Sequence, residues 1–294
     1  MKRFLITAGT VYGKLDDNKL VANRARGIWA IMFAEYLAAH GDAEITLLVP
    51  DTHNVPCAVN SNLKVVRHSG FYDYQRQVLE MVPWMDGVVL AAAVVNWIPE
   101  KPFEGKMPTK NMGERILIPF VLAPRVIDVV KKVKPRCTLI GCKMTAGASW
   151  SVQKDVANEV LTSSRCNAVI ANDLGGLRTK RILHPDQTVV RFELPDDARA
   201  FYAHLRDLLM DTHFESVVEV PRREVPVAAL RLFDRIVDKC RIQRKFTPAG
   251  DGRVYGSLAV RLPDGKFLVS PREKGENFCS AQAVVVREVD FSSA

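Results

Sequence analysis

No apolar run in this sequence approaches the ~20 residues that a bilayer-spanning helix needs. The amino-terminal MKRFLITAG is basic, but its apolar stretch is too short for a secretory signal. Cysteine is scarce: six in 294 residues, at Cys57, Cys137, Cys142, Cys166, Cys240 and Cys279, with no CxxC pair and no zinc-ligand spacing. Several lie in apolar strands, where a free thiol behaves as a small hydrophobe. This usage excludes a disulfide scaffold and a zinc module, and it places the chain in a reducing cytoplasm. Glycine is thin as well, and neither GxGxxG nor a Walker motif is present. A basic run interleaved with aromatics is also missing. The formal charge of +8 therefore points to small anions, nucleotides or phosphorylated metabolites, rather than to nucleic acid. Neither nucleic acid nor a membrane is an expected partner.

What is present reads as an ordinary globular chain, 48% hydrophobic and 25% charged. Its length suits one large domain, or one domain with an appendage. The most informative stretch runs from Ile6 to Gly41. An apolar strand enters a small-residue turn at Thr7, Ala8 and Gly9, a polar loop follows, and Asn23-Arg24-Ala25-Arg26-Gly27 leads into a helix. A strand–loop–helix turn gathers backbone N–H groups and the positive helix end at one spot, which suits a phosphate. Lys19 and the two arginines add full charges there. Any first strand and helix of an α/β domain would share this outline.

The chain then alternates. A helix from Gly27 to His40 carries Trp29, Met32, Phe33 and Tyr36, with Ile28 and Ile31 beside them. That is wider than one stripe, so the pattern predicts cover on two sides. Gly41 caps it. Strands are predicted at Glu44–Val49, Leu63–Arg67, Gly87–Val94, Thr138–Cys142, Asn167–Ala171 and Gln187–Phe192. Helices are predicted at Phe71–Trp84, Pro124–Val133, Ser151–Ser163 and Ala198–Met210. A loop from Pro99 to Arg115, rich in proline and lysine, reads as a mobile basic flap, with a returning strand over Arg115–Phe120. The fold class expected is α/β: a doubly wound, mainly parallel, Rossmann-like sheet. Ligands of such sheets collect beyond the carboxyl strand ends, where Asn96, Lys143, Asn172 and Asp173 fall. The main domain spans 1–211. A small α+β appendage follows over 225–294, with a helix at Val227–Cys240, a hairpin around Pro263-Asp264-Gly265 and a strand at Ala283–Val289.

Five motifs now carry a resemblance, the opening one running from ITAGT through Gly27. ITAGT with Leu15-Asp16, the Asn23–Gly27 run, AAAVVNW from Ala91 to Trp97, EGKMPTK from Glu104 to Lys110, Gly141-Cys142-Lys143, and Val169–Asp173 follow one another in the order and spacing of one family. This set resembles the phosphopantothenate–cysteine ligases of coenzyme A biosynthesis, and leans toward the stand-alone members. The resemblance implies that a carboxylate, 4′-phosphopantothenate, attacks the α-phosphate of CTP or ATP in the presence of Mg2+. Pyrophosphate leaves, and the amine of cysteine then displaces the nucleotide from the acyl-nucleotide. It implies Asn23 and Lys106 as catalytic residues. Asn23 would donate to the acyl carbonyl, and Lys106 would close over the triphosphate, with Lys110 as the alternative. Gly9, Thr10, Arg26, Gly27, Ala92, Asn96, Cys142, Lys143 and Asn172 would bind nucleotide or acid, in a homodimer. Phosphate displacement asks for positive charge near the developing anion more than for a nucleophile, which fits lysines and arginines at these positions.

Departures from the family pattern fall in the same pocket. Thr10 and Val11 stand for Gly-Thr, Ala25 and Arg26 for two serines, Asn96 for an aspartate, Cys142 for phenylalanine, and Ser164 for a lysine. They keep a second reading open, a non-catalytic or regulatory nucleotide binder, or a ligase for another acid. An NAD(P) enzyme is weaker still, with only Asp51 near the end of strand two. The tail hairpin has a fainter resemblance to class II aldolase and adducin domains, but the last histidine is His213. It reads as a structural or oligomerising cap.

Overall fold

Near-continuous apolar runs, rather than alternating ones, put strands in a sheet that is covered on both faces. The computed structural model shows this arrangement. It describes residues 1–52, 60–108, 110, 114–210 and 226–242, and the short strands 247–248, 254–255, 259–261, 266–269 and 284–287. In chain order the first unit holds β1 (Lys2–Thr7), β2 (Thr10–Val11), β3 (Gly13–Lys14), β4 (Leu20–Val21), α1 (Ile28–His40), β5 (Ala43–Pro50), β6 (Leu63–His68) and α2 (Phe71–Met81). There follow β7 (Gly87–Leu90), β8 (Ala93–Val94), β9 (Trp97–Pro99), β10 (Phe120–Leu122), α3 (Ile127–Val133) and β11 (Thr138–Thr145). The unit ends with α4 (Trp150–Ser163), β12 (Ala168–Asp173), β13 (Thr179–Leu183), β14 (Val189–Glu193) and α5 (Ala198–Met210).

The main sheet runs β14-β13-β12-β11-β7-β1-β5-β6. Pairing is parallel from β12 to β6, and the β12-β13-β14 end is antiparallel. Strand order reverses between β1 and β7, so the crevice of a doubly wound sheet opens there. Successive side chains alternate faces. Leu5, Val88, Leu139 and Val169 join Phe71 and Val78 of α2, Val130 of α3 and Leu161 of α4 on one face. Phe4, Ile6, Ile140 and Ile170 join Phe33 and Leu37 of α1 and Phe201 and Leu205 of α5 on the other.

Several boundaries differ from the sequence pattern. The strand expected over Gly87–Val94 stops at Leu90, and Ala93–Val94 pairs instead with Thr10–Val11. The chain bends at Ala91-Ala92, where Thr7 Oγ1 accepts the Ala92 N–H. The strand expected over Arg115–Phe120 is only Phe120–Leu122, antiparallel to Trp97–Pro99. The α3 helix starts at Ile127, later than Pro124. Strand β13, Thr-Lys-Arg-Ile-Leu, is absent from the sequence reading because Lys180 and Arg181 break its apolar pattern. Within the chain, α1 is covered along one stripe, Ala30, Phe33, Ala34, Leu37 and Ala38. Trp29 and Tyr36 beside it pack against Phe201 and Tyr202 of α5, whereas Ile28 and Met32 are exposed.

Contacts divide the chain at Met210, with residues 211–294 forming a second unit. There α6 (Val227–Ile242) lies against β17 (Ala259–Arg261) and β18 (Lys266–Val269). β18 also pairs with β19 (Val284–Arg287), and β15 (Thr247–Pro248) pairs with β16 (Val254–Tyr255). The antiparallel β17–β18 pair matches the expected hairpin; its Pro263-Asp264-Gly265 turn lies outside the described residues.

Candidate functional site

The turn after β1 is built by two close backbones. Gly9 and Gly27 both have positive φ, 79° and 68°. A Cβ on Gly27 would stand 2.2 Å from the Gly9 nitrogen, so only glycine lets the helix entrance touch the strand exit. Gly27 precedes α1 with no side-chain cap, which removes the reading of Asn23 as a helix cap. Instead the Asn23 amide donates to the Val94 carbonyl at 2.8 Å, and the Thr10 hydroxyl donates to the Asn23 carbonyl at 2.9 Å. Thr10 thus supplies a hydrogen bond that the glycine of the family pattern lacks. One amide hydrogen of Asn23 remains for a ligand.

The flap is fixed to this loop rather than loose over its described part. Phe103 N–H donates to the Leu15 carbonyl, Asp17 N–H to the Gly105 carbonyl, and Met107 N–H to the Asp16 carboxylate at 2.9 Å. Asp16 is buried to 1% exposure. It also accepts from the Asn18 and Lys19 backbone and from Lys19 Nζ at 2.8 Å. The Lys19 ammonium and these N–H groups hold its carboxyl well below the usual carboxylate range. Lys106, between the two anchored residues, is exposed. The described part of the flap is thus hydrogen-bonded to the turn of residues 15–17 at Phe103, Gly105 and Met107. The sequence reading gave Asp16 no role beyond its motif; its Asx-turn signal, Asp followed by Asp-Asn, was the available clue.

A second group stands in the last residues of β11 and β12, next to β7; these strands run on to Thr145 and Asp173, so Lys143, Asn172 and Asp173 lie within them rather than beyond their expected ends at Cys142 and Ala171. Cys142 and Asn172 share the α1 face, whereas Lys143 points to the opposite one, as alternation requires. Asn172 is buried to 4% exposure; its amide reaches the Ile170 carbonyl at 3.4 Å, and its Oδ1 has no partner. Asp173 accepts from Thr145 Oγ1 at 2.6 Å and from the N–H groups of Gly147, Ala148 and Gly175. The Thr145 hydroxyl and these N–H donors hold its pKa down at about 2. It shapes the loop into α4. Lys180, missed with its strand, is buried, and its ammonium donates to the Leu177 carbonyl at 2.6 Å.

Ala92 joins the first group through its bond to Thr7. Asn96 is exposed, and its backbone carbonyl accepts from Ala123 N–H, outside the Asn23 group. Arg26 and Lys110 are exposed. Asp51 is engaged by the Tyr12 hydroxyl at 2.6 Å, which occupies the one acid an NAD(P) reading needed. Among the described residues no group of three or more His, Cys, Asp or Glu side chains is placed to hold a metal, and no helix is long and apolar enough to cross a membrane.

Residues 1–199 match the family described as DNA/pantothenate metabolism flavoprotein C-terminal domain. The coenzyme A biosynthesis bifunctional protein CoaBC of Thermococcus kodakarensis is 27% identical over 173 residues, which cover 59% of this chain and 41% of that protein. The chain therefore spans about two fifths of that relative's length. The fold is similar to the DNA/pantothenate metabolism flavoprotein from Streptococcus pneumoniae, with a TM-score of 0.61 at 18% identity over 70% of this chain and 98% of that one. It is also similar to the C-terminal domain of CoaBC, with a TM-score of 0.57 at 21% identity over 71% and 94%. A Cab2 mutant in complex with phosphopantothenate-cysteine gives 0.55 at 13% identity over 70% and 89%. These structures establish the doubly wound fold, and the family match spans more than half of the sequence. The chain belongs to the DNA/pantothenate metabolism flavoprotein C-terminal domain family, the phosphopantothenate–cysteine ligase family that its motifs resemble.

Proposed function

We propose that this protein is a nucleotide-dependent acid–amine ligase of the coenzyme A type, joining 4′-phosphopantothenate to cysteine through an acyl-nucleotide. The observation that carries the reading is the bonding of the flap to the turn between β3 and β4, ahead of Asn23 in the chain, through Asp16 and Met107. It ties the backbone next to Lys106 to the segment that leads to Asn23, whose own amide is tied to Val94. In this reading Asn23 uses its remaining amide hydrogen on the acyl carbonyl. Lys106, with Lys110 beside it in sequence, neutralises the triphosphate as pyrophosphate leaves. Gly9, Thr10 and Gly27 present backbone to phosphate. Ala92, Asn96, Cys142 and Asn172 line the nucleotide, and Arg26 and Lys143 contact phosphates. CTP or ATP enters with Mg2+, which the nucleotide phosphates bring. A homodimer in the cytoplasm completes the proposal; exposed Ile28 and Met32 on α1 support an apolar contact.

Pyrophosphate release tests it. CTP and ATP are offered separately with Mg2+, with and without 4′-phosphopantothenate and cysteine. Acid-dependent release with one nucleotide is expected, falling about 10²-fold in Lys106→Ala and Asn23→Ala. A second reading, a binder without turnover, is favoured by exposed Asn96 and by Cys142, which stands within β11 where the family pattern has phenylalanine. It gains if a nucleotide raises the melting temperature with no release under any condition. Neither release nor a thermal shift overturns both readings.

A further inference from the structure

Away from the crevice, the last strands of the sheet and the last helix of the first unit bring two histidines face to face. His184 follows β13 directly, and His204 sits in the middle of α5. Their Nε2 atoms are 3.1 Å apart, and their rings are nearly perpendicular, at 79°, with centroids 5.2 Å apart. Both rings are half-buried. His184 is set by backbone bonds across its turn, from its own N–H to Thr188 and from Gln187 N–H to its carbonyl. Phe192 packs against the His204 ring. Neither histidine is loose, and neither belongs to the site described above.

We propose that His184 and His204 form a binding site for a divalent transition-metal ion that favours imidazole, Zn2+, Ni2+ or Cu2+. Two imidazole nitrogens at ~2.0–2.1 Å from one tetrahedral ion lie ~3.3–3.4 Å apart, with ring centroids ~5.2 Å apart. The observed 3.1 and 5.2 Å leave a few tenths of an ångström of movement for the ion to enter. Without an ion, one Nε2 must carry a proton and donate to the other. With an ion, both rings take the Nδ1–H tautomer, one proton moves from Nε2 to Nδ1 through solvent, and both lone pairs bind metal. Burial lowers the pKa of both rings, so both are neutral ligands at pH 7 and above. Asp186 acts electrostatically on His184, and Asp207 on His204. Water fills the remaining positions of an ion whose preference for nitrogen excludes Mg2+. The bound ion would join the β13–β14 hairpin to α5.

The full-length protein is titrated at pH 7.5 with Zn2+, Ni2+ or Cu2+ chloride, with Mg2+ as control. Melting temperature and calorimetry are read beside the histidine side-chain NMR resonances. Wild type is expected to bind one ion at micromolar concentration with a rise in Tm, absent with Mg2+. The His184→Gln and His204→Gln proteins should bind at least about tenfold more weakly. If a variant unfolds, the wild-type NMR decides: two histidines must shift together with Zn2+, and those two must be the pair in through-space contact. Binding that both variants retain, NMR shifts confined to other histidines, or no binding by wild type overturns the proposal.

Discussion

At the residue scale, one glycine and one aspartate shape the loops of the crevice. Gly27 is fixed by its contact with Gly9: an alanine there meets backbone at 2.2 Å and must also hold φ 68°. The left-handed conformation alone costs a non-glycine residue about 1–2 kcal/mol, and the clash adds to it. Gly27→Ala is expected to lose more than about 2 kcal/mol by urea denaturation, with any nucleotide-induced thermal shift abolished. Asp173 illustrates a pH effect. Its folded pKa of about 2 lies below the ~3.9 of an unfolded chain. Its contribution is therefore complete above about pH 4 and is lost as pH falls from about 4 toward about 2. Asp173→Asn should be less stable than wild type at pH 7, and the gap should close on acidification. Parallel stability curves down to pH 2 would show that Asp173 is not the group that titrates.

At the element scale, the question is which face of each helix the sheet takes. The α1 sequence is apolar nearly all round, so periodicity alone does not choose the stripe. The structure selects Ala30, Phe33, Ala34, Leu37 and Ala38, because small alanines let the helix approach β1 and β5 closely, with Phe33 and Leu37 filling the gap. Phe33→Ala is expected to cost about 3–5 kcal/mol, read as a lower urea midpoint with an unchanged slope. Met32→Lys, on the exposed side, should leave monomer stability within about 0.5 kcal/mol, and should dissociate the proposed homodimer in sedimentation velocity. Thiol chemistry follows the same layering. Burial pushes Cys137 up to about 11 and Cys166 up to about 12, so neither should react with a thiol reagent before unfolding.

At the scale of the whole molecule, the chain splits after Met210 into two contact units, and each helical and sheet layer of the first unit is closed by its own residues. A protein ending at Met210 is expected to unfold cooperatively, with a midpoint close to that of the full chain. Loss of cooperativity in that truncation would show that the second unit supplies part of the first unit's core.

The parallel, doubly wound sheet was legible in the sequence because apolar strands buried on both faces leave no polar alternation. Most helix and strand positions followed from the same pattern. The order of the Asn23, Lys106, Lys143 and Asn172 motifs was legible too, since motif spacing survives divergence. What escaped was whatever depends on residues distant in sequence. The bend at Ala91-Ala92 rests on Thr7, 85 positions away from Ala92. The anchoring of the flap rests on Asp16, 91 positions from Met107. Strand β13 was hidden because Lys180 is buried by a carbonyl partner rather than by an apolar side chain, and His184 meets His204 only because β13 and α5 pack on one layer. Local patterning determines which segments become strands and helices. Only tertiary packing determines which polar groups lose water, and so must find each other.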